Sequence, residues 1–122
     1  MHLKNFSLIY PVDGMVKLAP AYDMLSTRLL ISEKEDPEEL ALTVNGKKRK
    51  LNRKDFERLA ASLGLNEKQT KNIFSRFTKA MPKTWLFLNR AFLPADKAEA
   101  FKELIATRAT RLGLPCKHPQ DM

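Results

Sequence analysis

The chain has 122 residues, 43% hydrophobic and 30% charged, with 22 Lys and Arg against 14 Asp and Glu for a net of +8. That is enough for one domain with a real core, and the composition excludes disordered, collagen-like and low-complexity polymers. The single cysteine, Cys116, excludes an intrachain disulfide and a cysteine-built zinc cage. No apolar run approaches the ~20 residues of a membrane span, so a reducing, cytoplasmic setting without a membrane partner is expected.

Phe6 to Tyr10 is rich in strand formers, Pro11-Val12-Asp13-Gly14 reads as a turn, and Met15 to Leu18 resumes a strand-like run. Together they predict a β-hairpin with a four-residue loop. Ala19 to Thr27 reads as an irregular loop in which Ser26 or Thr27 caps a short helical turn. Residues 33–39 hold five acids and one lysine and read as an exposed loop. A second hairpin is expected over 40–51, turning at Asn45-Gly46, a pair that tolerates positive φ.

Helices follow. Asn52 is a candidate N-cap with Asp55 three residues on, and Phe56, Leu59, Ala60 and Leu63 repeat at helical spacing before Gly64. Asn66 caps the next helix, whose stripe holds Ile73, Phe74, Phe77, Ala80 and Met81. Pro82 predicts a break or kink there. Thr84 to Phe92 reads as a further helical stretch. A last helix starts near Pro94, with Ala98, Phe101, Ile105 and Leu112 on one side, and ends at Gly113. Phe56, Phe74, Phe77, Trp85 and Phe101 are expected in the core, and Arg108 and Arg111 near a helix C-terminus offset its dipole. The expected fold is mainly α with small β-hairpins (α+β). It is a single domain over 1–122, with a hairpin region 1–51, a helical bundle 52–113 and a loose tail 114–122.

Few residues suit familiar catalytic chemistry. His118 and Cys116 read as ordinary tail residues. The four glycines are scattered, so no glycine-rich phosphate loop is present. One constellation remains: His2, Lys4 and Asn5 precede the first hairpin, and Asp23 follows it. A hairpin between an Asn and an Asp returns two hard oxygen ligands to one place, which suits Mg²⁺ bridging nucleotide phosphates. Spacing alone is weak support, because such a trio also arises by chance.

The residues around that trio are more specific. Met1 to Leu8 (MHLKNFSL) and Leu18 to Thr27 (LAPAYDMLST) together resemble the C-terminal part of HipA-type serine/threonine kinases, the toxins of bacterial toxin–antitoxin pairs. The family pattern runs N-x-D-x-H-x-K-N-x-S, then a hairpin, then L-x-P-x-[YF]-D. Leu42 to Lys47 and the helical remainder also resemble that family's C-terminal lobe, so the likeness spans nearly the whole chain. It implies the C-terminal helical lobe of a protein-kinase-like fold, preceded by the end of the catalytic loop and the metal-Asp hairpin.

The resemblance implies that Asn5 and Asp23 ligate Mg²⁺ and hold the nucleotide, that His2 is the catalytic-loop His, and that Lys4 is a motif residue. It places the catalytic Asp immediately before Met1, outside these residues, and the ATP-binding N-terminal lobe outside them as well. The intact enzyme is expected to use ATP and Mg²⁺ to phosphorylate a protein Ser or Thr. This chain alone is expected to bind neither tightly and to be inactive. Implied partners are the N-terminal lobe, on the same or a separate chain, and a HipB-like antitoxin, with self-association through an exposed lobe interface. The alternative is a non-catalytic binding module for an antitoxin or nucleic acid. Its basic surface would be Lys47, Lys48, Arg49, Lys50, Arg53 and Lys54. DNA contact through that surface is expected to be indirect or weak, since the cluster lies on a hairpin and not on a recognition helix.

Overall fold

Asn45 and Gly46 both take left-handed φ, +51° and +71°, and turn the chain so that Val44 and Lys47 exchange two backbone hydrogen bonds. The computed structural model describes residues 2–115. The expectations for Cys116, His118 and the tail beyond Pro115 lie outside them. The described chain divides into two compact units, with the boundary between Lys50 and Leu51.

The first unit contains one two-stranded antiparallel sheet. Strand β1 (Leu8–Ile9) pairs with β2 (Lys17–Leu18), with Leu8 opposite Leu18 and Ile9 opposite Lys17. The Pro11–Gly14 turn forms as read, closed by the Gly14 N–H donating to the Pro11 carbonyl at 3.0 Å. Tyr10, Met15 and Val16 do not pair, however, so the connection is longer than four residues. The second expected hairpin is reduced to the single Val44–Lys47 bridge. Beyond the turn, the N–H groups of Glu39 and Leu40 both converge on the Lys48 carbonyl, at 2.8 and 3.1 Å, which diverts the ladder. The basic run also offers no alternating apolar face to bury. Short 3₁₀ turns occupy Leu3–Asn5 and Thr27–Leu29, and Ser26 holds the cap position of the latter without a side-chain cap bond. Among the described residues of this unit only Val44 is a buried hydrophobe, at 8% exposure.

The second unit is three helices, α1 (Arg53–Ser62), α2 (Glu67–Leu88) and α3 (Ala95–Arg111). Each of the first two starts with a reciprocal capping box. The Asn52 N–H donates to Asp55 Oδ2 at 3.0 Å and the Asp55 N–H to Asn52 Oδ1 at 3.3 Å. Asn66 and Gln69 repeat the arrangement at 2.9 Å in both directions. Two otherwise orphaned N–H donors are satisfied at each start. Asp55 is nevertheless only 2% exposed, so its carboxylate is a built-in part of the α1 start and not a surface charge. Arg108 and Arg111 fall in the last turn of α3, where positive charge is favourable.

The core lies on α2 and α3. Phe74, Met81, Trp85 and Leu88 share one face of α2 and cluster with Ala109 and Leu114, with Phe56, Phe101 and Ile105 packed against them. This arrangement corrects two expectations. The helix does not break at Pro82 but runs 22 residues through it and stops at Leu88, so the stretch from Thr84 is its continuation. Proline cannot donate to the carbonyl four residues back and costs about 3 kcal/mol in a helix interior. Pro82 is exposed, whereas Met81, Trp85 and Leu88 are buried. Burying those three large side chains is worth roughly 1.5–3 kcal/mol each, which outweighs the local penalty. The second correction is Phe77, which is 58% exposed and not core.

Pro82 is therefore a local cost at an exposed position. Pro82→Ala should stabilise the second unit by about 1–3 kcal/mol, the helix penalty less the rigidity proline lends the unfolded chain. A urea titration followed by helical circular dichroism checks this, and an unchanged midpoint would show that the proline is already accommodated. No helix among the described residues is long and apolar enough to cross a membrane.

Candidate metal and nucleotide site

The first 3₁₀ turn brings His2 and Asn5 together. The His2 N–H donates to Asn5 Oδ1 at 2.9 Å, and the Lys4 N–H donates to His2 Nδ1 at 3.4 Å. Asn5 is thereby held by its own turn, half-buried, with its amide nitrogen turned outward to the loop after β2. There Asn5 Nδ2–H donates to Asp23 Oδ2 at 2.8 Å. Eighteen residues apart in sequence, the two polar ends meet because the β1–β2 hairpin folds the chain back on itself.

Two further bonds lie one residue behind this pair. The Tyr22 hydroxyl donates to the Lys4 carbonyl at 3.0 Å, and Ser7 Oγ lies 2.6 Å from the Tyr22 oxygen. With its proton committed to Lys4, the Tyr22 oxygen accepts from Ser7. Asp23 itself sits at φ +53°, in the left-handed region. Aspartate tolerates this region better than most residues, yet the conformation is costly, and it persists where surrounding bonds impose it.

Asn5 and Asp23 open onto a cavity of about 340 Å³ whose walls also include His2. Lys4 is not among those walls. The same walls include Asp36, Glu38 and Glu39. The 33–39 run, read as a plain exposed loop, thus contributes three acidic residues to the cavity walls. Arg28 ties the backbone of two of them: Nη1 donates to the Asp36 carbonyl at 2.6 Å and Nη2 to the Glu38 carbonyl at 2.8 Å. The planar guanidinium fork suits two such acceptors, and a lysine would not. Nothing in the spacing of an isolated arginine and an acidic run announced that clamp. Below it, Ser32 Oγ and then the Ser32 N–H donate to Glu35 Oε2 and hold the Glu35 carboxyl below the usual carboxylate range.

The donor set can be tested against a magnesium ion. Asp23 offers a carboxylate, and Asn5 Oδ1 offers an amide oxygen that now accepts a single N–H. No group of three or more His, Cys, Asp or Glu among the described residues could hold a metal by itself. One carboxylate and one amide oxygen fit Mg²⁺, which commonly takes one or two protein ligands and completes its octahedron with phosphate oxygens and water. They do not fit a closed structural metal cage.

The basic run divides between the units. Lys47, Lys48, Arg49 and Lys50 belong to the first, where Lys48 Nζ pairs with Glu38 Oε2 at 2.9 Å. Arg53 and Lys54 belong to the second, where Arg53 pairs with Glu57 at 2.8 Å and lies 4.2 Å above the Phe74 ring. Lys48 and Arg53 thus have work within their own unit. The positive charge itself lies in the second unit: residues 51–122 carry 14 Lys and Arg against 7 Asp and Glu, a net of +7, while residues 1–50 carry 8 against 7.

Residues 1–85 match the family model of the HipA-like C-terminal domain. The chain belongs to this family. The matched region includes the whole hairpin site and α1, and extends into α2. The HipA-like chain is also 46% identical over 68 residues to a protein of Sinorhizobium fredii (strain NBRC 101917 / NGR234) named "Putative kinase Y4dM". The aligned stretch is 56% of this chain but 16% of that relative, so the HipA-like chain spans only a small part of it.

Proposed function

We propose that this chain is the metal-holding C-terminal part of a HipA-like serine/threonine kinase, whose intact form transfers a phosphoryl group from ATP to a protein Ser or Thr. The observation that carries the reading is the Asn5–Asp23 pair, joined at 2.8 Å on the wall of a cavity. Asp23 and Asn5 would hold Mg²⁺, which when bound supplies charge neutralisation for the nucleotide phosphates. Asp23 Oδ2, by accepting from Asn5 Nδ2, fixes which way the Asn5 amide faces. His2 closes the turn that presents Asn5.

The cavity walls support a division of labour with a second lobe. They carry Asp23, Asp36, Glu39 and Glu38, the last of these paired with Lys48, and no lysine or arginine lines them. Polyphosphate entering such a cavity without a cation meets like charge, so nucleotide binding here depends on the metal and on positive groups supplied from elsewhere. The chain has no glycine-rich phosphate loop to supply them. The exposed Leu8, Ile9, Val16 and Leu18 of the hairpin suit burial against the N-terminal lobe, and without it they favour self-association.

Incubation of the 122-residue chain with Mg-ATP, alone and with a protein substrate, tests the reading. The expected result is no phosphate transfer above a buffer blank, together with measurable Mn²⁺ binding that is lost when Asp23 is replaced. Turnover well above the blank would overturn the dependence on a second lobe. A second reading, a docking module for an antitoxin or nucleic acid, is favoured by one observation, the +7 of residues 51–122.

A further inference from the structure

We propose that Tyr22 is the positioning residue of the Asn5–Asp23 pair, and that Ser7 aims the Tyr22 hydroxyl. The inference rests on the reading of that pair as the metal site. Its basis is a double tie between the two chain segments. Residues 4 and 22 are joined by the Tyr22 hydroxyl donating to the Lys4 carbonyl at 3.0 Å, and residues 5 and 23 by the amide–carboxylate bond at 2.8 Å. Adjacent residues are tied to adjacent residues, so the first bond sets the separation at which the second forms.

The tie matters because the bonds that hold Asn5 lie within its own turn, and the bond on the Asp23 carbonyl comes from Leu25, two residues on, so neither fixes one segment against the other. The hydrogen-bonded ladder of the hairpin ends with the Ala19 N–H on the Ser7 carbonyl, at 2.8 Å. From there to Asp23 the chain is irregular, and at Asp23 it enters a left-handed conformation at φ +53°. A strained residue in a free loop relaxes, and one anchored by its neighbour does not. A phenol suits the task. It has one proton to give and lone pairs to receive, so with Ser7 donating at 2.6 Å the hydroxyl proton is directed at Lys4 and not at solvent. Tyr22 touches neither metal nor nucleotide in this scheme and acts only through Asn5 and Asp23.

The full 122-residue chain, labelled with ¹⁵N, allows a direct test with Mn²⁺ as the probe. The Asn5 side-chain amide resonances report the bond to Asp23 without metal, and their broadening by Mn²⁺ reports the metal site. Tyr22→Phe should move the metal-free Asn5 amide signals toward those of a solvated amide. It should also raise the Mn²⁺ concentration for half-broadening about three- to tenfold, the worth of one lost hydrogen bond. Ser7→Ala should do the same to a smaller degree, and Ser7→Thr, which keeps the donor, should restore wild-type behaviour. Signals from residues 51–115 should not move. Unchanged Asn5 signals and an unchanged midpoint in Tyr22→Phe would overturn the proposal. So would collapse of signals throughout residues 2–50, which would make Tyr22 a general structural residue. If the wild-type chain shows no Mn²⁺ broadening while Tyr22→Phe still shifts Asn5, the metal reading fails and the positioning role is supported.

Discussion

Trp85→Ala should destabilise the second unit by about 3–5 kcal/mol, the usual cost of emptying a buried aromatic site. Trp85 is 2% exposed and lies within the cluster of Phe74, Met81, Leu88, Ala109 and Leu114, so its removal leaves a void lined on several sides by side chains from two helices. Small domains commonly have only about 5–15 kcal/mol of stability, and a three-helix unit of this size belongs near the low end. The variant is therefore expected to be largely unfolded at physiological temperature, with lost helical signal in circular dichroism and a urea midpoint near zero. Phe77→Ala supplies the contrast. The same type of truncation at a 58% exposed position should cost under about 1 kcal/mol. Equal losses at the two positions would show that Phe77 is covered in solution by something that shields it.

Replacing Asp23 should separate backbone strain from ligation. Glycine accepts φ +53° freely, asparagine accepts it well, and alanine pays about 1–2 kcal/mol. Asp23→Asn should thus leave the first unit unchanged, Asp23→Gly should lose the Asn5 bond while relieving the strain, and Asp23→Ala, which loses the bond and keeps the strain, should loosen it most. All three lose the carboxylate charge. Residues that merely orient metal ligands are worth 10–100-fold in affinity, so all three should weaken Mn²⁺ binding by at least about tenfold. Hydrogen exchange of residues 2–50 reads the first property and Mn²⁺ titration the second. Retention of Mn²⁺ affinity in Asp23→Gly would remove Asp23 from the metal site.

The features that were legible in the sequence are those governed by near neighbours. Asn52 with Asp55, the Asn66 cap, and Asn45-Gly46 each act within three residues, and each forms as its chemistry dictates. The meeting of Asn5 with Asp23 was legible only through the paired motifs, since the hairpin that joins them is two residues wide on each side. Pro82 misled because a local rule was set against packing that the six helical residues after it could not reveal: the face it occupies looks outward. Phe77 misled for the converse reason. Helical spacing tells which residues share a side, and says nothing of whether another element covers that side. The acids at 36, 38 and 39 gave no sign of their destination, because their placement depends on Arg28 reaching two backbone carbonyls, and backbone acceptors have no sequence signature.

The scarcity of buried side chains in the first unit has a consequence for any affinity measured there. Val44 is the one buried hydrophobe among its described residues, and turns, the Arg28 fork and short polar bonds order the rest. Segments with so little interior open at small free-energy cost. A ligand that recognises only the closed arrangement then binds a fraction of the molecules, and its apparent dissociation constant is the intrinsic one divided by that fraction. A tenfold gain in the closed fraction would register as a tenfold gain in affinity with every ligand contact unchanged. Residues far from the carboxylate, such as the Asn45-Gly46 turn, therefore tune what the site holds as surely as Asp23 does, and a partner that clamps the hairpin works as an affinity switch without touching the ligand.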